Sequence, residues 1–209
     1  MFQPAAFRED DLDAQLALVR AHPLGLLVSH GEQGLTADPL PFLADVEQGQ
    51  IRLRAHLSRA NEHWRRLQYA AECLVIFQGA EGYVSPGWYP SKRQTGKVVP
   101  TWNYSVVQLY GVPTVMDDPA WLRCQLIDLT AQQEGRRPAP WRLDDAPANY
   151  IAAQLKGIVG IEIAVTRREG KWKMSQNRSA DDADGVIAGL SDGDETQRRL
   201  AAEVERRRG

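Results

Sequence analysis

Residues 24–56 read LGLLVSHGEQGLTADPLPFLADVEQGQIRLRAH, and this stretch decides the class of fold. Apolar segments at 24–29, 35–43 and 51–56 are separated by two polar turns, His30-Gly31-Glu32-Gln33-Gly34 and residues 45–50. Short apolar runs broken by glycine-bearing turns are the pattern of antiparallel β-hairpins, because such turns reverse the chain without a crossover segment. On the N-terminal side, Asp10 or Asp11 caps a helix in which Leu12, Leu16 and Val19 recur at helical spacing until His22-Pro23 stops it. On the C-terminal side a short helix is expected to open near Ser58 and to carry Trp64 and Leu67.

Further along, residues 73–77 have the β-branched and aromatic character of a buried strand, and 86–100 read as a Pro-, Gly- and Lys-rich loop. A long strand is predicted at 102–115, and a helix at 119–133 behind the cap Asp118. Residues 158–165 and 171–174 are expected to form a hairpin around Arg168-Glu169-Gly170, and 186–190 and 196–208 are helical in pattern. Roughly six to eight strands with helices between and after them do not alternate as a doubly wound sheet requires. The reading is mainly β within the α+β class, a small closed or partly closed barrel with peripheral helices. Aspartates at 181, 182, 184, 192 and 194 precede an arginine-rich end. They divide the chain into a barrel domain over 1–178 and a helical appendage over 179–209.

Composition narrows function by exclusion. With 25 Lys plus Arg against 27 Asp plus Glu in 209 residues, no overall basic field draws the chain to nucleic acid or to an anionic membrane. The two cysteines, Cys73 and Cys124, form no CxxC pair and so no cysteine-built zinc site or disulfide scaffold. No apolar run approaches the roughly 20 residues of a membrane span, and residues 1–10 lack signal-peptide character, so a cytoplasmic location is expected. There is no GxGxxG, Walker loop, HExxH or GxSxG. Of the four histidines, His22 and His30 do not pair with the others, so polar surface or capping roles are expected and no metal site.

Three stretches remain that can carry chemistry. In HLSRANEHW (56–64), a helix opening at Ser58 would leave first-turn amides free for an anion. Arg59 there is a forked donor suited to phosphate, Ser58 and Asn61 add neutral hydrogen bonds, and His56 adjoins them. The same residues describe an ordinary capped helix with a solvated arginine, which is the commoner arrangement. Tyr83, Trp88, Tyr89, Trp102 and Tyr104 cluster about one loop and suit a planar heteroaromatic ligand, a loop pinned to the core, or a dimer interface. In KWKMSQNR (171–178), alternation would put Lys171, Lys173 and Ser175 on one strand face, or Ser175 or Asn177 could cap a helix. In the arginine-rich end, Leu200 and Val204 share one side of a helix that would either pack on the body or meet DNA phosphates. No helix-turn-helix pattern is present.

Taken together, HLSRANEHW (56–64), FQG (77–79), YVSPGWYPSK (83–92), VPTWNY (99–104), LKGIVGIEI (155–163) and KMSQNR (173–178) resemble the PaiB family, described as FMN-binding negative transcriptional regulators. The resemblance runs over nearly the whole chain. It implies a split β-barrel of the flavin-reductase and pyridoxamine-phosphate-oxidase kind, a homodimer, and FMN near the subunit interface. By it, Ser58, Arg59 and Asn61 hold the FMN phosphate beside His56, while Trp102, Asn103, Lys173, Ser175 and Gln176 lie near the flavin or the dimer partner. Residues 90–99 depart from the shorter family members, so no substrate role is carried over, and no catalytic side chain is nominated. The functions implied are negative transcriptional regulation, through DNA or a partner regulator. The alternatives are an FMN-dependent oxidoreductase, of flavin-reductase or pyridoxamine-phosphate-oxidase type, and a protein that stores or senses flavin.

Overall fold

The computed structural model describes residues 1–208; Gly209, the last residue of the expected appendage, lies outside them. In chain order the strands are β1 (Arg8–Glu9), β2 (Leu24–Gly31), β3 (Gly34–Pro41), β4 (Leu43–Glu47), β5 (Gln50–Ser58), β6 (Cys73–Val84), β7 (Thr101–Met116) and β8 (Ile158–Lys173). The helices are α1 (Leu12–Ala21), α2 (His63–Leu67), α3 (Ser91–Thr95), α4 (Pro119–Glu134), α5 (Ala148–Leu155), α6 (Ala180–Ser191) and α7 (Glu195–Arg206). The described chain forms two compact units, and β6, β7 and β8 contribute residues to both.

The unit built from His22–Phe77 and Gln108–Arg168 contains the hairpins read from residues 24–56. The strand order is β3-β2-β6-β7-β8-β5-β4, with antiparallel pairing of β2 to both β3 and β6, and of β5 to both β4 and β8. Alternation along β5 buries Ile51, Leu53, Ala55 and Leu57 and turns Arg52, Arg54, His56 and Ser58 the other way. Leu27, Leu53, Val75, Phe77, Ile161 and Ile163 are fully buried, and Phe42 meets Phe77 edge to face at 5.7 Å. Each such side chain contributes about 1.5–3 kcal/mol by leaving water. The turn between β4 and β5 is shorter than expected. Asp45 to Glu47 pair within the strand, and Gln48 and Gly49 alone reverse the chain with φ of 51° and 83°.

The other unit comprises Met1–Ala21, Gln78–Val107 and the chain from Glu169 onward. Here β1 pairs with the end of β8, Arg8 opposite Lys171 and Glu9 opposite Gly170. That pairing explains one correction to the sequence reading. Residues 158–173 are a single strand rather than a hairpin around Gly170, because β1 supplies hydrogen-bond partners where a turn was expected. Helix α6 is capped by Ser179, which accepts from the Asp182 amide, so neither Ser175 nor Asn177 opens it. Helix α7 buries Leu200, Ala201 and Val204, and Trp88 lies against α6 at Gly189. The expected loop over 86–100 holds a 3-10 turn at Pro86–Trp88 and helix α3, anchored where Ser91 donates from its amide and hydroxyl to Asp182.

Candidate cofactor site

The nine residues nominated from the sequence divide between the units. His56, Ser58, Arg59 and Asn61 belong to the hairpin unit; Trp102, Asn103, Lys173, Ser175 and Gln176 belong to the other.

In the hairpin unit the segment after β5 is a tight turn rather than a helix opening at Ser58. The Asn61 amide donates to the Ser58 carbonyl, the Ser58 hydroxyl accepts from the Ala60 amide, and α2 begins only at His63. Glu62, not Ser58, is the N-cap residue of α2, and just ahead of it Asn61 Oδ1 accepts from the His63 amide at 2.9 Å. The physical reason is that Ser58 is still hydrogen-bonded as the last residue of β5, opposite Ile158, and cannot also adopt a cap geometry one turn ahead of α2. Trp64 closes the turn by donating from Nε1 to the Arg59 carbonyl at 3.0 Å.

Arg59 is already engaged. Both terminal nitrogens of its guanidinium donate to Asp117, and Nε and Nη2 donate to the carbonyls of Lys156 and Ile158. The hydrogen bonds to Asp117 hold the guanidinium above its ordinary pKa and pull the Asp117 carboxyl below the usual carboxylate range. Asp117 is exposed, so an anion arriving from solvent can take its place. His56 is half-buried, with Nδ1 2.9 Å from Oε1 of Gln125 on α4. Gln125 is fully buried and its Nε2 has no partner, a donor left open beside the same strand.

Sequence reasoning missed a buried triad next to this turn. His63, expected at the surface or in a cap, is 1% exposed. Its Nδ1 lies 2.7 Å from Asp38 Oδ2 and its Nε2 2.7 Å from Ser29 Oγ. Because a carboxylate only accepts, Nδ1 carries a proton, and in the neutral ring Nε2 accepts from the serine. Ser29 is 3% exposed and its strand is paired on both sides, opposite Thr36 and Cys73, so its hydroxyl is a lock on α2 and not a nucleophile open to substrate. The serine lies in β2, the aspartate in β3 and the histidine in α2, so spacing along the chain carries no signal of their contact.

In the other unit β7 and β8 bring the second group together. Asn103 and Ser175 are both buried, and Nδ2 of Asn103 donates to Ser175 Oγ at 2.9 Å. Ser175 has φ of 65°, a left-handed backbone that a non-glycine residue holds only when its surroundings fix it. Gln176 supports that bend: its Oε1 accepts from the Met174 amide and its Nε2 donates to the Trp172 carbonyl, both at 2.7 Å. Lys173 donates to the Thr101 hydroxyl and the Trp102 carbonyl. Burial, with Lys171 and Arg178 nearby, pushes the Lys173 ammonium below its ordinary pKa. Of the five aromatics, Tyr89 is buried under the Arg178 guanidinium, 4.7 Å from its ring centre. Trp102 and Tyr83 are 52% and 47% exposed, edge to face at 6.3 Å.

Among the described residues no cluster of His, Cys, Asp and Glu forms a metal site, and no helix is long and apolar enough to cross a membrane. The family model described as "Putative FMN-binding domain" matches residues 1–167. The chain is 34% identical to an uncharacterized protein of Aspergillus fumigatus over 91% of its own length and 90% of the relative's. It is 28% identical to the Protease synthase and sporulation protein PAI 2 of Bacillus subtilis over 98% and 96%. Among solved structures it resembles the FAD and Heme binding protein of Mycobacterium smegmatis (TM-score 0.60, 19% identity, 87% of this chain and 80% of that one). It also resembles the Flavocytochrome Anf3 of Azotobacter vinelandii (TM-score 0.56, 15% identity, 79% and 68%). The fold is therefore the sheet-rich α+β fold of the split-barrel flavin proteins.

Proposed function

This chain belongs to that FMN-binding family, with FMN as its cofactor, and we propose that the turn from Ser58 to Asn61 holds the FMN phosphate and that flavin binding controls a PaiB-type negative regulator. The observation that carries the placement is the donor set: an arginine fork at the exposed end of β5, held by a carboxylate that a phosphate can replace, with a serine and an asparagine beside it. The residues fit the group through that exchange. Arg59 would trade Asp117 for the phosphate, keeping its bonds to the Lys156 and Ile158 carbonyls as a fixed hinge. His56 on β5 and the unpartnered amide of Gln125, buried on α4 beside it, add polar groups next to that strand. Trp102, with Asn103, Lys173, Ser175 and Gln176, is assigned to the flavin or to a second copy in a homodimer. The exposed Trp102 and Tyr83 rings support that assignment.

Repression in the cytoplasm through a partner protein is favoured over direct reading of DNA. On α7 and just beyond it, four of the five arginines, Arg199, Arg206, Arg207 and Arg208, are each paired with a carboxylate, Glu195, Glu203, Glu9 and Asp184 respectively, and Arg198 donates to the Gly193 carbonyl, which leaves little charge for phosphates. A second reading, an FMN-dependent oxidoreductase, is favoured by the cations gathered around Lys173. Bound FMN would supply hydride or electron chemistry, and the protein's part would be to hold and shield it.

The test begins by denaturing the purified protein and identifying the small molecule released. Affinities for FMN and riboflavin are then compared in Arg59→Ala. Loss of roughly ten- to hundred-fold for FMN, with riboflavin little changed, supports the phosphate placement. Equal affinity of wild type and variant for FMN refutes it. Bleaching of the flavin band by NADH or NADPH with turnover on an added acceptor separates the oxidoreductase. A salt-sensitive shift of one promoter fragment, absent on random DNA, identifies direct repression.

A further inference from the structure

Inside the unit that holds Lys173 there is a cavity of about 160 Å³ whose lining includes Thr101, Asn103, Lys173, Ser175, Asn177 and Arg178. The polar side chains in that group comprise two cations, two hydroxyls and two amides, with no carboxylate. Lys173 spends its hydrogen bonds on a hydroxyl and a backbone carbonyl, and Arg178 lies over the face of Tyr89. Among the described residues neither forms an ion pair with an acid, although Asp182 stands close enough to act on the same Tyr89, whereas Arg59 has Asp117. A third cation, Lys171, stands near enough to Lys173 to disfavour its protonated form. Gathering positive charge in a partly desolvated pocket is unfavourable unless an anion enters to offset it. The pocket is also built: Asn103 and Ser175 are almost wholly buried and bonded to each other, and Ser175 is held in a left-handed backbone.

Size says what kind of anion. At 160 Å³ the cavity is well below the ~300 Å³ of pockets that take drug-sized ligands. A phosphate or carboxylate with a few attached carbons fits. We propose that this cavity is an oxyanion subsite that receives the phosphate or carboxylate end of a second small molecule, separate from the FMN phosphate. The inference rests on the placement of that phosphate at Ser58–Asn61, and its test separates the two.

FMN-loaded protein is titrated with inorganic phosphate and, in a second arm, with acetate, by calorimetry. Saturable binding of one equivalent per chain is expected, with the preferred anion distinguishing phosphate from carboxylate ligands. Arg178→Gln should weaken that binding ten-fold or more, and Lys173→Met should do the same, while Lys173→Arg restores most of it. The ratio of FMN to riboflavin affinity in Arg178→Gln supplies the separating readout. If the ratio stays at the wild-type value while anion binding is lost, the subsite is distinct. If the ratio collapses, the cavity belongs to the FMN phosphate and the proposal is overturned, as it is if loaded wild type binds neither anion. Should Arg178→Gln fail to fold, Lys173→Met is read by the same two measurements. Failure of Arg59→Ala to change the FMN ratio counts against the phosphate placement alone.

Discussion

Replacing Ser29 by Ala removes one hydroxyl from the middle of the hairpin unit, and the structure specifies what is left behind. His63 Nε2 loses the Ser29 hydroxyl, its partner at 2.7 Å among the described residues, in a site where the imidazole is 1% exposed. An unsatisfied buried acceptor costs about 1–3 kcal/mol. For a chain of this length each kcal/mol lowers the apparent Tm by about 2–4 °C, so a drop of roughly 2–12 °C is expected. Asp38→Asn should cost less, because the amide oxygen still accepts from Nδ1–H and Asp38 is partly exposed. Circular dichroism melts at pH 7 of wild type and both variants provide the measurement, with flavin removed so that ligand binding does not shift the midpoint. The result that would refute the reasoning is an unchanged melt for Ser29→Ala together with loss of hydrolysis of an activated ester such as 4-nitrophenyl acetate. That pair of outcomes would make the serine a nucleophile and the triad a catalytic device rather than a lock.

Other expectations follow from named contacts. Asp117→Asn removes the carboxylate that competes with phosphate for Arg59, so FMN should bind roughly two- to five-fold tighter by fluorescence titration at low salt; weaker binding would count against the exchange. Burial, assisted by Glu72, pushes the Cys73 thiol from 9.0 up to about 12. Between those values the folded chain keeps a proton that the unfolded chain has lost, so stability falls as pH rises from 9.0 towards 12. The full effect is up to roughly 4 kcal/mol, and Cys73→Ala should lack that part of the slope in urea midpoints measured across the range. Gly111→Ala would place a methyl group 2.3 Å from the Ala164 carbonyl oxygen, where β7 and β8 run side by side and neither backbone can yield. A loss of about 2 kcal/mol or more is expected in urea unfolding, and an unchanged midpoint would mean that the strands are less closely apposed.

The parts of the fold that were legible are those encoded by neighbours in sequence. The alternation along 51–57, the cap Asp118 ahead of α4 and the stop at His22-Pro23 each act within a turn or a few residues, and the observed elements match them. The errors lie where a distant segment changed the outcome. The end of β8 continues as strand because β1, far away along the chain, pairs with it. Ser58 remains strand because Ile158 opposes it.

The site divides in the same way. The strings HLSRANEHW and KMSQNR carry the chemistry of anion binding on their face, so the residue types and the flavin-binding class could be read directly. Which charges are free could not. Arg59 and Lys173 are both cations in polar surroundings, but one is neutralised by Asp117, 58 residues away, and the other stands in a cavity with Arg178 and no acid. Likewise His63 reads as one more polar residue until β2 and β3 bring Ser29 and Asp38 to its two nitrogens. Local sequence determines backbone preference and the kind of group presented, because those depend on bonded neighbours. Burial and the pairing of charges depend on which surfaces meet, and that is settled only when the hydrophobic core selects one arrangement of the strands.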